Sequence, residues 1–293
     1  MVTPFRNRSV TIACVLAVAV LWLFGGILSS LARQWASDDN YSHGFFVAPL
    51  ALYFAWERRA SLLDAPRRPS VFGLILIVGS LLLLLAGLLG AELFLTRVSF
   101  IGVLAGITLF VWGRDHFRIL AFPLAFLLLM IPLPSIIFNQ LAFPLQLLAS
   151  RAGEAAITVA GIPVVREGNV LQLPTRTLDI VEACSGIRSL VSLVTLAVVL
   201  GYFTEPRTGG RILIALAAIP IAILANAARV AGTGLASELV SPAAADGVFH
   251  TFSGWLMFVF AFGCLLAIQR VIGARGGGSA VRAGAPRPSA AEA

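Results

Sequence analysis

The sequence is poor in charge, in cysteine and in histidine. Only 12% of its 293 residues are Asp, Glu, Lys or Arg, whereas 59% are hydrophobic. A typical soluble domain has about 25% charged residues, so a water-soluble protein of this composition would lack the polar surface it needs. Three cysteines are too few for a disulfide scaffold, and the 27 glycines follow no collagen-like period. The composition therefore indicates a membrane protein with several spans.

Lysine is absent, and all 21 basic residues are arginine. The formal net charge of +7 and the pI near 10.6 would suit a nucleic-acid-binding protein. The arginines, however, are scattered between apolar blocks, a pattern typical of membrane topology because cytoplasmic loops carry an excess of Arg and Lys. We therefore expect no nucleic acid partner.

Eight apolar segments are candidate membrane spans. A helix crosses the hydrocarbon core with about 20 apolar residues, or fewer when flanking side chains reach the interface. The uncharged run 119–150 is too long for one span, so we predict a helix to about Phe138 and then an amphipathic interfacial segment. The segments are too long and uniformly apolar for barrel strands, which predicts an all-α polytopic membrane helical bundle. The predicted spans are 10–31, 41–56, 70–91, 98–113, 119–138, 184–203, 212–232 and 251–269.

The arginines also predict the orientation. With eight spans both termini lie on one side, and 14 of the 21 Arg fall in the connections of that side. The positive-inside rule makes that side cytoplasmic. We expect the segment 10–31 to be a retained anchor and not a signal peptide. The predicted domains are a membrane domain, 1–272, and a disordered cytoplasmic tail, 273–293, rich in Gly, Ala and Pro.

The outer connection 139–183, between spans five and six, is the one sizeable soluble piece of the predicted topology. Residues 161–173 have two apolar-rich arms around a Glu-Gly-Asn turn, which predicts a β-hairpin. A second extended stretch, 177–181, follows the hairpin. We expect a small lid against the membrane face that is too small to have a core of its own.

Three reactive side chains converge on the outer face of the predicted topology. Cys184 lies where span six begins, Arg229 near the outer end of span seven, and His250 where span eight begins. A helix N-terminus or a nearby cation favours the nucleophilic thiolate of a cysteine. Histidine is suited to general base and acid catalysis, and arginine can stabilise an acyl oxyanion or hold a substrate carboxylate. The three residues therefore predict a cysteine-dependent acyl-transfer site.

The neighbours of these residues suit supporting roles. Ser185 and Gly186 permit close approach of the backbone beside the cysteine. Asn226, three residues before the arginine, lies on the same helix face and is expected to orient it. Gly254, four residues after the histidine, leaves room beside the imidazole. Glu182 would bind substrate or cap the following helix.

The remaining cysteines and histidines have simpler interpretations, with one exception. His43 is also predicted on the outer side, and it competes with His250 for the role of the base. Cys14 and Cys264 are expected to be small apolar residues of the membrane helices. His116 is predicted to be a solvated loop residue on the inner side. No metal or cofactor site is predicted, since the sequence has no CxxC, HExxH or phosphate-binding loop.

Five segments resemble signatures of the exosortase/archaeosortase family of membrane cysteine transpeptidases, and the resemblance points to a bacterial exosortase. The most specific is Glu-Ala-Cys-Ser-Gly-Ile-Arg, which ends at Arg188 and resembles the nucleophile motif. The others are Tyr-Ser-His-Gly-Phe at 41–45, Ile-Pro-Leu-Pro at 131–134, Asn-Ala-Ala-Arg at 226–229 and His-Thr-Phe-Ser-Gly at 250–254. Their order and spacing fit the family, and together they cover nearly the whole membrane region.

The resemblance implies that Cys184, Arg229 and His250 are a catalytic triad. It implies a cysteine-type peptidase or transpeptidase that cleaves C-terminal sorting signals of exported proteins, commonly Pro-Glu-Pro followed by a membrane helix and a basic tail. The substrate would be held as a thioester and passed to a cell-envelope acceptor or to water. The implied setting is the bacterial inner membrane, with membrane lipid around the protein and the active site on the periplasmic face.

Two other classes of function remain open from the residues alone. A transporter or polysaccharide-export subunit would place polar residues near mid-membrane, often on broken helices. Here the polar cluster is predicted at one membrane face, which favours chemistry at the surface. A cysteine-dependent acyltransferase acting on lipid would use the same thioester, so the sequence separates it poorly from a transpeptidase.

Overall fold

A computed structural model describes residues 4–180, 186–240 and 248–283 of the chain. The chain forms two compact units, Met1–Ser135 and Ile136–Ala293. Each unit is mostly helical, and the second also contains a small sheet. The predicted all-α fold is therefore confirmed.

The helices of the first unit are α1 Pro4–Ser37, α2 Gly44–Glu57, α3 Arg59–Asp64, α4 Val71–Leu89, α5 Leu93–Val111 and α6 Arg114–Phe126, which continues as a 3-10 turn, Leu127–Met130. The boundary to the second unit lies at the start of α7, Ser135–Val159. The second unit continues with strands β1 Val165–Glu167, β2 Val170–Gln172 and β3 Thr177–Asp179, and with helices α8 Ile187–Thr204, α9 Thr208–Leu239 and α10 Val248–Ala283. Helix α10 extends into the segment 273–293, whose disorder stays a prediction.

Six helices of the described residues are long and apolar enough to cross a membrane, so the chain is a multi-pass membrane protein. They are Cys14–Ser37 of α1, the whole of α4, α5, α8 and α9, and Phe252–Ala274 of α10. The interrupted pair Arg114–Met130 and Ser135–Val159 would be a seventh span if it counts as one. The predicted number of eight is not confirmed. The predicted span 41–56 is α2, and its 14 residues are fewer than the roughly 20 that the hydrocarbon core requires.

The chain leaves the helical conformation at 131–134, earlier than the predicted helix end at Phe138. Ile131 and Leu133 each precede a proline, and a residue in that position disfavours the α region. Ile131 is accordingly extended, with φ −88° and ψ 119°. Helix α7 then continues through Pro144 to Val159, and it includes the region where the amphipathic interfacial segment is predicted.

Helices α8, α9 and α10 pack against one another in the second unit. Their shared core contains buried alanines of α9, among them Ala218, Ala222 and Ala225, together with leucines of α8 and α10. Alanine lets the three backbones approach closely, as small residues generally do between membrane helices. This packing fixes which residues of the three helices face one another, and it positions the site described below.

The three strands form an antiparallel sheet in the order β1-β2-β3. The predicted hairpin within 161–173 is confirmed, with Gly168 in the left-handed region at the turn (φ 65°). The predicted lid is not confirmed, because the sheet has its core in common with α7 and α9. Leu171 and Ile180 of the sheet region are buried together with Ile157 and Val230 of those helices.

Candidate active site

Residues from the predicted nucleophile, Asn-x-x-Arg and His-x-x-x-Gly motifs come together where α8, α9 and α10 meet. Gly186 lies directly before α8 with φ 78°, a left-handed conformation that favours glycine. A Cβ atom at this position would lie 2.6 Å from Cγ of Asn226, closer than real Cβ contacts. Asn226 is itself buried on α9. Both the backbone conformation and the packing therefore require glycine at this point of the nucleophile motif.

Arg229 lies on the same face of α9 as Asn226, three residues further along. Its Nη1 lies 3.3 Å from the point where a Cβ atom on Gly254 of α10 would stand. The glycine therefore lets the guanidinium group lie directly against the α10 backbone. Asn226, Arg229 and Gly254 thus lie together where α9 meets α10.

A cleft opens between the three helices beside Arg229 and Asn226. Its atom-free space, counted together with the space that is open to the outside, is about 270 Å³. Its polar lining comes from Ser189, Asn226 and Arg229, and Gly254 contributes backbone. Leu193, Ala222, Ala225, Met257, Phe258 and Ala261 complete the lining with apolar surface.

Three predicted residues lie outside the described residues, namely Glu182, Cys184 and Ser185. Their proximity to the cleft is limited by chain length alone. Cys184 precedes Gly186 by two residues, and two residues span at most about 7 Å. The sequence position of the cysteine is therefore compatible with a thiol beside the cleft.

His250 is the third residue of α10, and its side chain lies outside the described part of the structure. It precedes Gly254 by four residues, which is about one helical turn and about 6 Å along the axis. Residues four apart lie on the same helix face. The backbone of His250 therefore lies about one turn before the glycine against which Arg229 packs.

Asn169 lies in the turn that the sequence predicts between the two arms of the hairpin. Its carbonyl accepts a hydrogen bond of 3.0 Å from the amide of Ile180, and its Nδ2 donates one of 3.0 Å to the carbonyl of Ile180. Ile180 is the last described residue before the nucleophile motif. Asn169 thus anchors the N-terminal side of that motif, while Gly186 anchors its C-terminal side. A polar turn residue gives no sequence signal of such a long-range role.

Arg188 and Ser189, consecutive residues in the first turn of α8, have different surroundings. The side chain of Arg188, a predicted supporting residue, is exposed. Ser189, which the sequence analysis did not single out, lines the cleft. Helical rotation explains the difference, since consecutive residues of a helix face directions about 100° apart.

His43 has hydrogen-bond partners within the first unit. Its Nε2 lies 3.1 Å from the carbonyl oxygen of Leu129, which can only accept, so the ring donates this bond. Trp35 Nε1 donates to the carbonyl of Met130 at 2.9 Å, and the Tyr41 hydroxyl accepts from the amide of Leu133 at 3.3 Å. We call residues 129–134 the proline break and these three side chains the aromatic clamp. The clamp thereby satisfies backbone groups of the proline break.

Burial lowers the pKa of His43 below its ordinary value of 6.5, against smaller raising effects of the backbone of Leu129 and Asn40. A lowered pKa keeps the imidazole neutral near pH 7, and the neutral ring can donate through one nitrogen only. In the first unit His43 therefore acts as a fixed donor to the proline break.

The remaining histidine and the two cysteines of the membrane helices lie outside the candidate site. His116 is buried in the first turn of α6, so the prediction of a solvated loop residue is wrong. The predicted loop is in fact helical from Arg114 onward, and the helix turns the ring inward. Cys14 is exposed on α1 and Cys264 is partly buried on α10. Within the described residues no group of three His, Cys, Asp or Glu side chains is arranged to hold a metal ion.

Comparison with known proteins identifies the chain by a family model. The model described as transmembrane exosortase matches residues 35–267, which include all five segments that resemble the family's signatures. No curated protein and no solved structure is significantly similar to the chain. The matched region covers well over half of the chain and contains the whole cleft between α8, α9 and α10. The chain is therefore a member of the transmembrane exosortase family.

Proposed function

We propose that this exosortase is a membrane cysteine transpeptidase in which Cys184 is the nucleophile, His250 the base and acid, and Arg229 the oxyanion donor. The observation that supports the proposal most is the contact of Gly186, Asn226, Arg229 and Gly254 across three helices. Two of these residues flank Cys184 and His250 at fixed short distances along the chain.

The proposed reaction follows acyl-transfer chemistry. His250 takes the thiol proton, and the sulfur of Cys184 attacks the scissile carbonyl carbon. Arg229 stabilises the negative charge on the carbonyl oxygen. The C–N bond then breaks, the leaving amine takes the proton from His250, and the acyl group remains as a thioester. An acceptor hydroxyl, amine or water attacks the thioester, gives its proton to His250 and releases the thiolate of Cys184.

Arginine suits the oxyanion role because its guanidinium group stays charged and offers several donors in a fixed plane. Asn226 is buried next to it on α9, where an amide can hold the group in one orientation. We assign the base to His250 because it precedes Gly254, against which Arg229 lies, by about one helical turn. His43 is instead held at the carbonyl of Leu129 in the first unit. Glu182, Ser185 and Arg188 keep their proposed supporting roles near the substrate.

The substrates we propose are exported proteins whose C-terminal sorting signal ends in a membrane helix and a basic tail. The exposed apolar surface of the membrane helices would allow such a helix to bind from the lipid phase. The acceptor is proposed to be a component of the cell envelope. No cofactor is required, because the thiol, imidazole and guanidinium groups supply the chemistry.

The decisive experiment compares Cys184→Ala with the native protein and with Cys264→Ala. Each is coexpressed with a reporter protein that ends in Pro-Glu-Pro, an apolar helix and a basic tail, and the reporter's C-terminus is determined by mass spectrometry. We expect cleavage with the native protein and with Cys264→Ala, and none with Cys184→Ala. Cleavage that continues in Cys184→Ala would refute the mechanism. Transfer of a lipid acyl group with the reporter left intact would instead indicate an acyltransferase.

The proposed orientation places the cleft on the periplasmic face of a bacterial inner membrane and both termini in the cytoplasm. It rests on three arginines away from the cleft, namely Arg207 and Arg211 at the start of α9 and Arg270 in the C-terminal half of α10. A thiol reagent that cannot cross the membrane should label Cys184 from outside but neither Cys14 nor Cys264. Labelling of Cys184 only after the inner side is opened would reverse the orientation.

A further inference from the structure

The cleft between α8, α9 and α10 is narrow where the three helices meet. The part of it that the centre of a water molecule can occupy has a volume of about 10 Å³. A buried water needs about 10–15 Å³ on this measure, and it needs about two to four polar partners. The cleft is therefore too small for a side chain of a substrate, and its size suits one water.

Three polar side chains line this space, and they supply the hydrogen bonds that a water requires. Ser189 lies in the first turn of α8, whereas Asn226 and Arg229 lie three residues apart on α9. A guanidinium group only donates, but a hydroxyl or an amide can both donate and accept. The other side chains of the lining are apolar. A water in the cleft would therefore meet both donors and acceptors.

The hydroxyl group of Ser189 differs from two other hydroxyl groups of the same helix. Thr195 and Thr204 each donate to the carbonyl four residues earlier in α8, at 2.9 Å and 2.7 Å. Ser189 has no hydrogen bond to any residue that the structure describes, although it is half-buried. A polar group that leaves bulk water without a partner costs free energy. The Ser189 hydroxyl therefore needs a partner from the cleft.

Resting on the proposed function, we propose that Ser189 is a positioning residue that holds Arg229 through one water bound in the cleft. The water accepts a hydrogen bond from the guanidinium group and donates one to the Ser189 hydroxyl, and the Asn226 amide is its third partner. A bridging water is nearly as favourable as a direct hydrogen bond. It fixes the plane of the guanidinium group, so that the donors of Arg229 keep one direction for the oxyanion.

A structure of the native protein at a resolution that shows ordered water is the direct test. We expect one water within about 3.2 Å of both the Ser189 Oγ atom and a guanidinium nitrogen of Arg229. A cleft without this water, or with a water that contacts neither side chain, would refute the proposal whatever the activity of the protein. This test needs no variant, so it does not depend on how a variant folds.

Ser189→Ala tests the positioning role, and Ser192→Ala is its matched control. Ser192 is also a half-buried serine of α8 that has no hydrogen bond to the described residues, but it lines no part of the cleft. Ser189→Ala should lower kcat for reporter cleavage about tenfold, the effect of one lost hydrogen bond to a charged group, with little change in KM. Ser192→Ala should cleave at the native rate. Equal rates in the two variants would refute the positioning role.

The same substitution in the Arg229→Lys background separates positioning from a general structural effect. Residues that act through one another are not additive, so Ser189→Ala should have little further effect on kcat once Arg229 is lysine. An equal fold-loss in both backgrounds would show that Ser189 acts independently of Arg229, and would refute the proposal. Cleavage that continues in Cys184→Ala would instead refute the mechanism, and the structure of the native protein would still decide the water site.

Discussion

The aromatic clamp of the first unit and the cleft of the second both contain residues from the segments that resemble exosortase signatures. Their polar side chains, however, have different surroundings. In the clamp, Trp35, Tyr41 and His43 direct their polar atoms at backbone groups of the proline break. In the cleft, Asn226 and Arg229 border empty space, and glycines bring the backbone close to them. A motif residue can thus serve the fold or the chemistry, and only its contacts distinguish the two.

The polar side chains of the clamp point at the backbone for an energetic reason, which is the proline break. Prolines leave backbone groups without helical partners, and an unpaired buried polar group costs about 1–3 kcal/mol. The hydrogen bonds of the clamp offset this cost for the carbonyls of Leu129 and Met130 and for the amide of Leu133. Gly44 belongs to the same arrangement, because a Cβ atom there would collide with the Trp35 ring. We therefore expect clamp variants to lose stability, and cleft variants to lose activity first.

Among variants of the clamp and the cleft, the largest effect is expected from Arg229→Lys. Lysine keeps the charge but loses the planar set of donors, and removal of one oxyanion donor typically lowers kcat by about 10²–10³. The rate of reporter cleavage and the thermal unfolding of the purified protein in detergent should be measured together. We expect the rate to fall with little change in the unfolding temperature.

Arg151→Lys is the control for this variant, since Arg151 is exposed on α7 and lines no part of the cleft. It should cleave at the native rate. Native activity of Arg229→Lys would restrict the residue to the role of a point charge, and equal losses of activity in both variants would point to a general effect on folding.

An intermediate effect is expected from Gly186→Ala compared with Gly161→Ala. Both glycines have left-handed φ values, 78° and 80°, so alanine costs about 1–2 kcal/mol at either position. Only the Cβ atom at position 186 would meet another group, Asn226, whereas position 161 has open space. Overpacking adds about 1–3 kcal/mol, so Gly186→Ala should be the less stable variant and should also lose cleavage. Equal unfolding temperatures in the two variants would contradict the described contact.

The smallest effect concerns pH and would test the clamp. Because the folded state lowers the pKa of His43, its contribution to stability is complete above the ordinary value of 6.5 and is lost as pH falls below it. The unfolding temperature should therefore decrease between about pH 6.5 and pH 5. His43→Gln keeps a donor for the Leu129 carbonyl but does not titrate, so its unfolding temperature should depend less on pH in this range. The same pH dependence in both proteins would exclude His43 as its source.

Much of the fold follows from the sequence because hydrophobicity acts locally. The long apolar segments at 70–91, 184–203 and 212–232 predict helices whose centres agree with α4, α8 and α9, since any such segment must satisfy its backbone within itself in a membrane. The predicted helices are wrong where the length of an apolar segment differs from the length of the helix that forms. The segment 41–56 is apolar but forms a helix too short to span, and prolines end the helix at 131–134 before its apolar run is complete.

The candidate site depends both on the sequence and on the tertiary structure. The types and order of Cys184, Arg229 and His250 indicate acyl-transfer chemistry from the sequence alone, because few residue types can act as nucleophile, oxyanion donor and base. Only the tertiary structure shows that Gly186 needs the space beside Asn226 and that Arg229 lies against Gly254. Likewise, only the tertiary structure shows the cleft, the role of Asn169 and the role of the aromatic clamp. They depend on contacts between residues far apart in the chain, and local hydrophobicity and spacing carry no information about such contacts.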